Sequence, residues 1–524
     1  MSKNSKKRRD AKAKAKAAKP MHTTLGQHQR QKNTLIPPLN RMPAPVSRLS
    51  WMNDRMPEML WACLARAVLP RDEALQVFRE VALIGKEFRA SDAGPDTLLP
   101  THTNLAAQHA HLIPRIVGII AKRPLGYAAL RPLLAIEALP GRDQWIAAIG
   151  AEPDPNELNT LADAIVEFFD HQSEHSTDVR WFLLIFTVLA GRLHFPATME
   201  EKVNELLEFP NRGDMRSVRP FIRSGEPSVW MLTSGGMPQF QWSAEFWKEC
   251  HRRTPCLYGE PEPSAAPQPP NDELRDVVLR TIGTVSLHWI ETSQTTAVDA
   301  THEGTFTFVL YALTCLLEIV LGANRTRIAG RMLLRTLTEC RITLAYLQKK
   351  NDQELWAKFR RYGAGQAKLA WLKLSEATKP PHSISLEALE QLANEDVWQE
   401  FVDINLGQWA GADLRKMAEE SGTKDIYDAH YGWTSGFSHG HWSAMRDATL
   451  VICLNPLHRA HRIPAESKRI HGDVVPDAIE LVETMIAGLL QAYPGAEITL
   501  RPAPAPTGEA AGEGTAAGAG VTDA

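Results

Sequence analysis

Apolar residues recur at intervals of three and four along most of positions 46–258 and 272–497, the period of helices that turn one face to a core. In LSWMNDRMPEMLWACLARAVLP, the residues Met56, Met59, Leu60, Cys63, Leu64 and Ala67 share a helical face, and Pro70 halts the run. The next stretch, PRDEALQVFREVALIGKEF, sets Asp72 and Glu73 in the first turn, where acids complement the unpaired N–H groups, with Leu75, Phe78 and Ala82 behind them. VRWFLLIFTVLAGRL, over 179–193, is apolar nearly all round, as a central core helix is; a buried strand pair is the alternative. In IAGRMLLRTLTECRITLAYL, over 328–347, Leu333, Leu337, Cys340, Leu344 and Leu347 repeat at four, three, four and three, predicting a single packing seam. Arg331, Arg335 and Glu339 then fall at about 160°, 200° and 240° from Leu333, on the opposite face. No strong pattern requires a strand. The expected class is all-α, with helical domains at 46–258 and 272–497.

Three segments interrupt the periodicity. Residues 1–45 have no apolar period and are expected to form a disordered arm, GEPEPSAAPQPPN (259–271) contains five prolines and reads as a stiff linker, and the Ala/Gly/Pro-rich stretch 498–524 reads as a disordered tail. The net charge of −3 conceals an asymmetry: residues 1–41 hold twelve bases and one acid, +11, which leaves −14 for the rest. Lys6, Lys7, Arg8, Arg9, Lys12, Lys14 and Lys16 make this arm a candidate RNA- or DNA-binding element with strong salt dependence. The composition excludes collagen-like, wholly disordered and disulfide-framework classes, because six scattered cysteines cannot staple a chain of 524 residues. The most apolar run, FTFVLYALTCLLEIVL, is short for a bilayer span and carries Glu318, and the amino terminus has no apolar region behind its charges. A cytoplasmic protein with no membrane span is expected.

The chemistry-bearing candidate is YDAHYGWTSGFSHGHWSAMR, 427–446. On a continuous helix Tyr431, Ser435 and His439 form one ridge, extended by Trp442 and Arg446, while Gly432, Gly436 and Gly440 form a second where a neighbour's backbone could approach closely. Such a row suits phosphate or nucleotide binding, or acid–base work by His439; a satisfied polar core network is the competing reading. Arg331, Arg335 and Glu339 are either a solvated surface or a set of guanidinium forks turned toward that ridge. Two basic clusters in the first half, Arg216/Arg219/Arg223 and Trp247/Lys248/His251/Arg252/Arg253, read as surface charge or as a nucleic-acid track. His430, His439 and His441, with Cys453, His458 or His461, fit no familiar metal template, and Cys250 and Cys256 with His251 between them fit still less. No metal and no cofactor are expected.

RMLLRTLTECRITLAYL, ELWAKFRRYGAGQAKLAWLKL and YDAHYGWTSGFSHGHW together resemble a bacterial domain family of unknown function numbered 5677, over about 200 residues. The resemblance implies a helical fold, with Arg331, Arg335, Glu339, Tyr346, Leu347, Tyr431, Ser435 and His439 as motif positions, and no catalytic assignment comes with it. It also implies kinship with components found among anti-phage and abortive-infection genes, some of them helical ribonucleases of the HEPN type. The Arg-to-His spacing of that type, with four to six residues between, does not occur here. The function expected is a bacterial defence or stress effector that acts on or senses nucleic acid or a nucleotide. If it is an enzyme, it is a metal-independent nuclease or other phosphate-directed enzyme, with His439, Glu339, Ser435 and Tyr431 catalytic and Arg331, Arg335 and Arg446 on phosphate. The alternative is a non-enzymatic scaffold tethered to RNA or a ribosome by the arm.

Overall fold

The computed structural model describes residues 25–32, 34–41, 49–90, 98–233, 240–259, 272–379, 381–394, 402–459, 461–465 and 471–500. The chain divides into two units, 1–257 with 454–460, and 258–453 with 461–524. The short segment 454–460 falls inside the expected second domain by sequence. It belongs to the first unit because Leu457 is buried in that unit's core and Leu454 N donates to Leu257 O at 2.8 Å.

In the first unit the main helices are α1 (Leu60–Val68), α2 (Arg71–Ala90), α3 (Glu174–Leu189), α4 (Met215–Thr233) and α5 (Gln241–Arg253). Helix α3 is the all-round apolar run, and it is a helix rather than a strand pair. Ser173 caps it by accepting from Ser176 N, Glu174 lies in the first turn, and α1, α2 and α4 cover its sides. Two buried carboxylates tie these helices together. Asp178 accepts from Arg66 Nε at 2.8 Å and from Arg71 Nε at 2.9 Å; Glu226 accepts from Arg180 Nε at 2.9 Å and Trp230 Nε1 at 2.6 Å and also pairs with Arg55. A buried carboxylate persists in its charged form only with such partners.

The second unit is built from α6 (Asp272–Thr292), α7 (Ala300–Leu321), α8 (Ile328–Lys350), α9 (Gln353–Ser375), α10 (Leu414–Ser421), α11 (Gly432–Ser438), α12 (Trp442–Thr449) and α13 (Val475–Ala492). Among the described residues α7 alone is long and apolar enough to cross a membrane. Its Phe306, Val309, Leu313, Leu316 and Ile319 are buried in the core, against α6, α8, α9 and α13. Strands among the described residues are confined to two antiparallel hairpins, β1 (Gln29–Gln31) with β2 (Thr34–Ile36) and β3 (Leu450–Ile452) with β4 (Arg462–Pro464). The architecture is all-α.

Helix α8 departs from its expected single seam. Leu334, Leu337, Thr338, Ile342, Leu344 and Leu347 are buried, whereas Leu333 and Cys340 are only half-buried. Helices α7, α10, α11 and α13 all pack on α8, so it is enclosed on several sides, and a heptad count cannot represent burial that is not one-sided.

Candidate functional site

The charged face of α8 is covered by the segment that holds Tyr431 and Ser435. A single π turn, Tyr427–Tyr431, leads into α11, and Tyr427 and Tyr431 stack at 4.7 Å. Arg335 donates from Nε and NH2 to Glu339 Oε1 at 3.1 and 2.8 Å, from NH1 to Ser435 Oγ at 2.9 Å, and from NH2 to Tyr431 OH at 3.1 Å. Its guanidinium carbon also lies 4.7 Å from the centre of the Tyr431 ring. The Arg335 side chain is 13% exposed and that of Glu339 40%, so the pair sits at the edge of the packing rather than in free solvent. Four of the expected residues, Arg335, Glu339, Tyr431 and Ser435, therefore meet. The arginine arrives with its charge balanced and its fork directed at protein acceptors, which makes it a bracket between helices before it is an anion receptor.

Arg331 is 8% exposed and donates to Gly472 O at 3.0 Å and Arg327 O at 3.3 Å, with its guanidinium 5.6 Å from the Phe437 ring. Burial pushes its pKa down, against the pull of Asp447. His439 is not part of this arrangement. The chain from 427 to 446 is not one helix: α11 ends at Ser438, His439 is its C-cap, Gly440 takes φ of +61°, and α12 starts afresh at Trp442. The ridge stops there, leaving His439 exposed beside His441, ring centres 6.1 Å apart. Trp442 and Arg446 are exposed on α12. The expected close approach along the three glycines is also absent: a Cβ at Gly432 or Gly440 would meet nothing within 4 Å, and at Gly436 only ordinary contacts at 3.6 Å. A different imidazole of the second unit, His471, meets a carboxylate there: its Nδ1 lies 3.1 Å from Asp447 Oδ2 and its ring packs edge-on to Phe437. No spacing rule pairs residues that reach each other only through a connecting loop.

A cavity of about 370 Å³ opens among α7, α8 and α9, lined by Ala300, Glu303, Gly304, Thr307, Phe308, Tyr311, Cys340, Trp356, Phe359 and Arg360. Phe308 and Phe359 stack at 5.3 Å, and Glu303 and Arg360 form an ion pair at the wall. Gly304 makes the cavity's shape possible: a Cβ there would lie 2.7 Å from ring atoms of Trp356. Desolvation, reinforced by Cys315 and Glu339, pushes the Cys340 thiol up to about 12, so it stays protonated and lines the cavity as a small apolar group. The sequence carried a signal for this cavity only in the aromatic spacing Trp356/Phe359, four and one residues before Arg360.

The basic clusters of the first unit are only partly consumed internally, since Arg216, Lys248, His251 and Arg252 are exposed. Arg219 pairs with Glu174, Arg223 donates to Thr177 Oγ1 and Gln172 O, Arg253 pairs with Glu249, and Trp247 is buried and donates to Asn53 O. Lys6, Lys7, Arg8, Arg9, Lys12, Lys14 and Lys16, together with the linker from 260 and the tail from 501, lie outside the described residues. Residues 305–451 match the sequence model of a family of unknown function, DUF5677. The matched region holds the Arg335 network and most of the cavity wall, but not Glu303. Comparison with curated proteins and with solved structures gives no match.

Proposed function

We propose that the second unit is a binding module for a small planar aromatic ligand of the nucleobase class, and that it senses a nucleoside or nucleotide rather than cutting nucleic acid. The observation that carries this reading is the cavity walled by Phe308, Trp356 and Phe359 with the Glu303–Arg360 pair in its lining. Its volume of about 370 Å³ suits a single base or nucleoside and excludes a polymer. Aromatic faces stack a base regardless of its identity, while a carboxylate and a guanidinium read its N–H and carbonyl edge or hold a phosphate. A hydrolytic reading is less well supported, since His439 is exposed at a helix end and takes no part in the Arg335 hydrogen-bond network.

Titration of the full chain with adenosine, guanosine and their 5′-monophosphates, followed by Trp fluorescence and calorimetry, tests the proposal. Saturable binding is expected, weakened roughly tenfold in Arg360→Met, the scale of one lost charged hydrogen bond. Absence of saturable heat and of any fluorescence change at millimolar ligand overturns it. The scaffold reading draws on a different observation, the full use of Arg335 as a helix bracket. It would gain if the cavity takes no ligand while Arg335 variants lose only stability.

A further inference from the structure

In the first unit, the end of α5 and the segment 454–460 bring together three side chains that the sequence separates. His251 lies in the last turn of α5, Cys256 follows three residues after that helix ends at Arg253, and His458 closes a 3-10 turn, Pro456–His458. We propose that His251, Cys256 and His458 form a binding site for a zinc-class divalent cation, which cross-links the two chain segments of this unit. Their donor atoms all lie within 4.8 Å of one another.

The hydrogen bonds around His458 fix which nitrogen is available. Thr254 Oγ1 donates its one proton to Cys250 O at 2.7 Å, so at 3.0 Å from His458 Nε2 it can only accept. Nε2 therefore carries the ring proton, and the lone pair of Nδ1 faces Cys256 Sγ at 3.6 Å. A metal-binding histidine is typically held in this way, its far nitrogen donating to an oriented oxygen. The spacing also fits: zinc bonds of about 2.05 Å to nitrogen and about 2.3 Å to sulfur at a tetrahedral angle put the two donors about 3.6 Å apart. The His251 ring supplies a third donor, its centre 4.8 Å from that of His458.

The frame is rigid and reachable. Asn455 donates to Pro255 O at 2.8 Å and accepts from Leu457 N at 2.9 Å, while Leu457 anchors the turn in the core. His458 is buried, Cys256 half-buried and His251 exposed, which gives the cation a path from solvent. Soft thiolate with imidazole selects zinc over magnesium or calcium. On binding, the Cys256 thiol loses its proton to solvent and the thiolate bonds to the cation, so affinity rises with pH.

Zinc titration of the full chain after chelator treatment is the test, with retained metal counted per chain and Co²⁺ substituted as a spectroscopic probe. Expected are one equivalent retained, a thiolate-to-cobalt charge-transfer band that disappears in Cys256→Ser, and weaker binding in His251→Ala, whose exposed side chain makes loss of folding a poor explanation. Thr254→Val should lower affinity about 10- to 100-fold by releasing the His458 ring. Failure of the unaltered chain to retain zinc or show the cobalt band overturns the site, as does a band unchanged by Cys256→Ser. Rapid alkylation of Cys256 at neutral pH that His458→Ala slows and zinc does not block would instead identify a thiolate–imidazolium pair, and also overturns it.

Discussion

Arg335 joins a carboxylate four residues away to hydroxyls about a hundred residues on, so one side chain sets the register of α8 against α11. Replacing it with alanine leaves Glu339, Tyr431 and Ser435 without their common donor, at a cost of about 1–3 kcal/mol. Arg335→Lys should recover little of this, since an ammonium cannot span three acceptors held by a planar fork. Urea unfolding of the three proteins checks the expectation; an alanine variant as stable as the parent but deficient in ligand binding would assign Arg335 to a ligand instead. The residue types of this network were legible, because a helical wheel places Arg331, Arg335 and Glu339 on one face and a four-residue period aligns Tyr431 with Ser435. That the two faces meet was not legible, because no local pattern records which helix covers which.

Among the elements, the stretch 427–449 shows where periodicity misleads. Three glycines four apart suggest a helix packed backbone to backbone, yet each has a different setting. Gly432 is helical with open space at its Cβ position, Gly436 makes ordinary contacts, and Gly440 has φ of +61°, which ends the helix. Gly432→Ala should therefore raise stability by about 0.5–1 kcal/mol, and Gly440→Ala should lower it by about 1 kcal/mol. Thermal melts of the two variants with opposite signs are the expected result; equal losses would restore the packed-ridge picture. Gly304 on α7, under the Trp356 ring, is packed more tightly than any of these three, and nothing in its flanking sequence, THEGTF, distinguishes it.

For the molecule as a whole, buried polar groups of the first unit make its stability depend on pH. His102 is fully buried between Trp145 and Trp242, and desolvation lowers its pKa to about 3. The unfolded chain takes up this proton near 6.5, so the contribution is present above 6.5 and is lost as pH falls toward 3, by up to about 1.4 kcal/mol per pH unit. Glu58 has the opposite sign: burial raises its carboxyl pKa despite the Thr103 hydrogen bonds, so its contribution is lost as pH rises through the folded-state value. Unfolding measured from pH 7 to 4 should show a shallower acid loss in His102→Gln than in the parent, and a steeper one in Glu58→Gln. An unchanged slope in His102→Gln would remove His102 as the cause.

The order of residues alone determined the all-α class, the charge asymmetry between the first 41 residues and the rest, and the candidate Arg/Tyr/Ser positions. These depend on near neighbours: the 3.6-residue period, capping side chains, proline, and like-charge repulsion. Tertiary structure decided what long-range packing controls. It neutralised Arg335, closed the ridge before His439, opened an aromatic cavity among three helices, and brought His458 to Cys256 across 202 residues. Burial and proximity are properties of the packed chain, and the free energy of each contact depends on partners that the local sequence does not name.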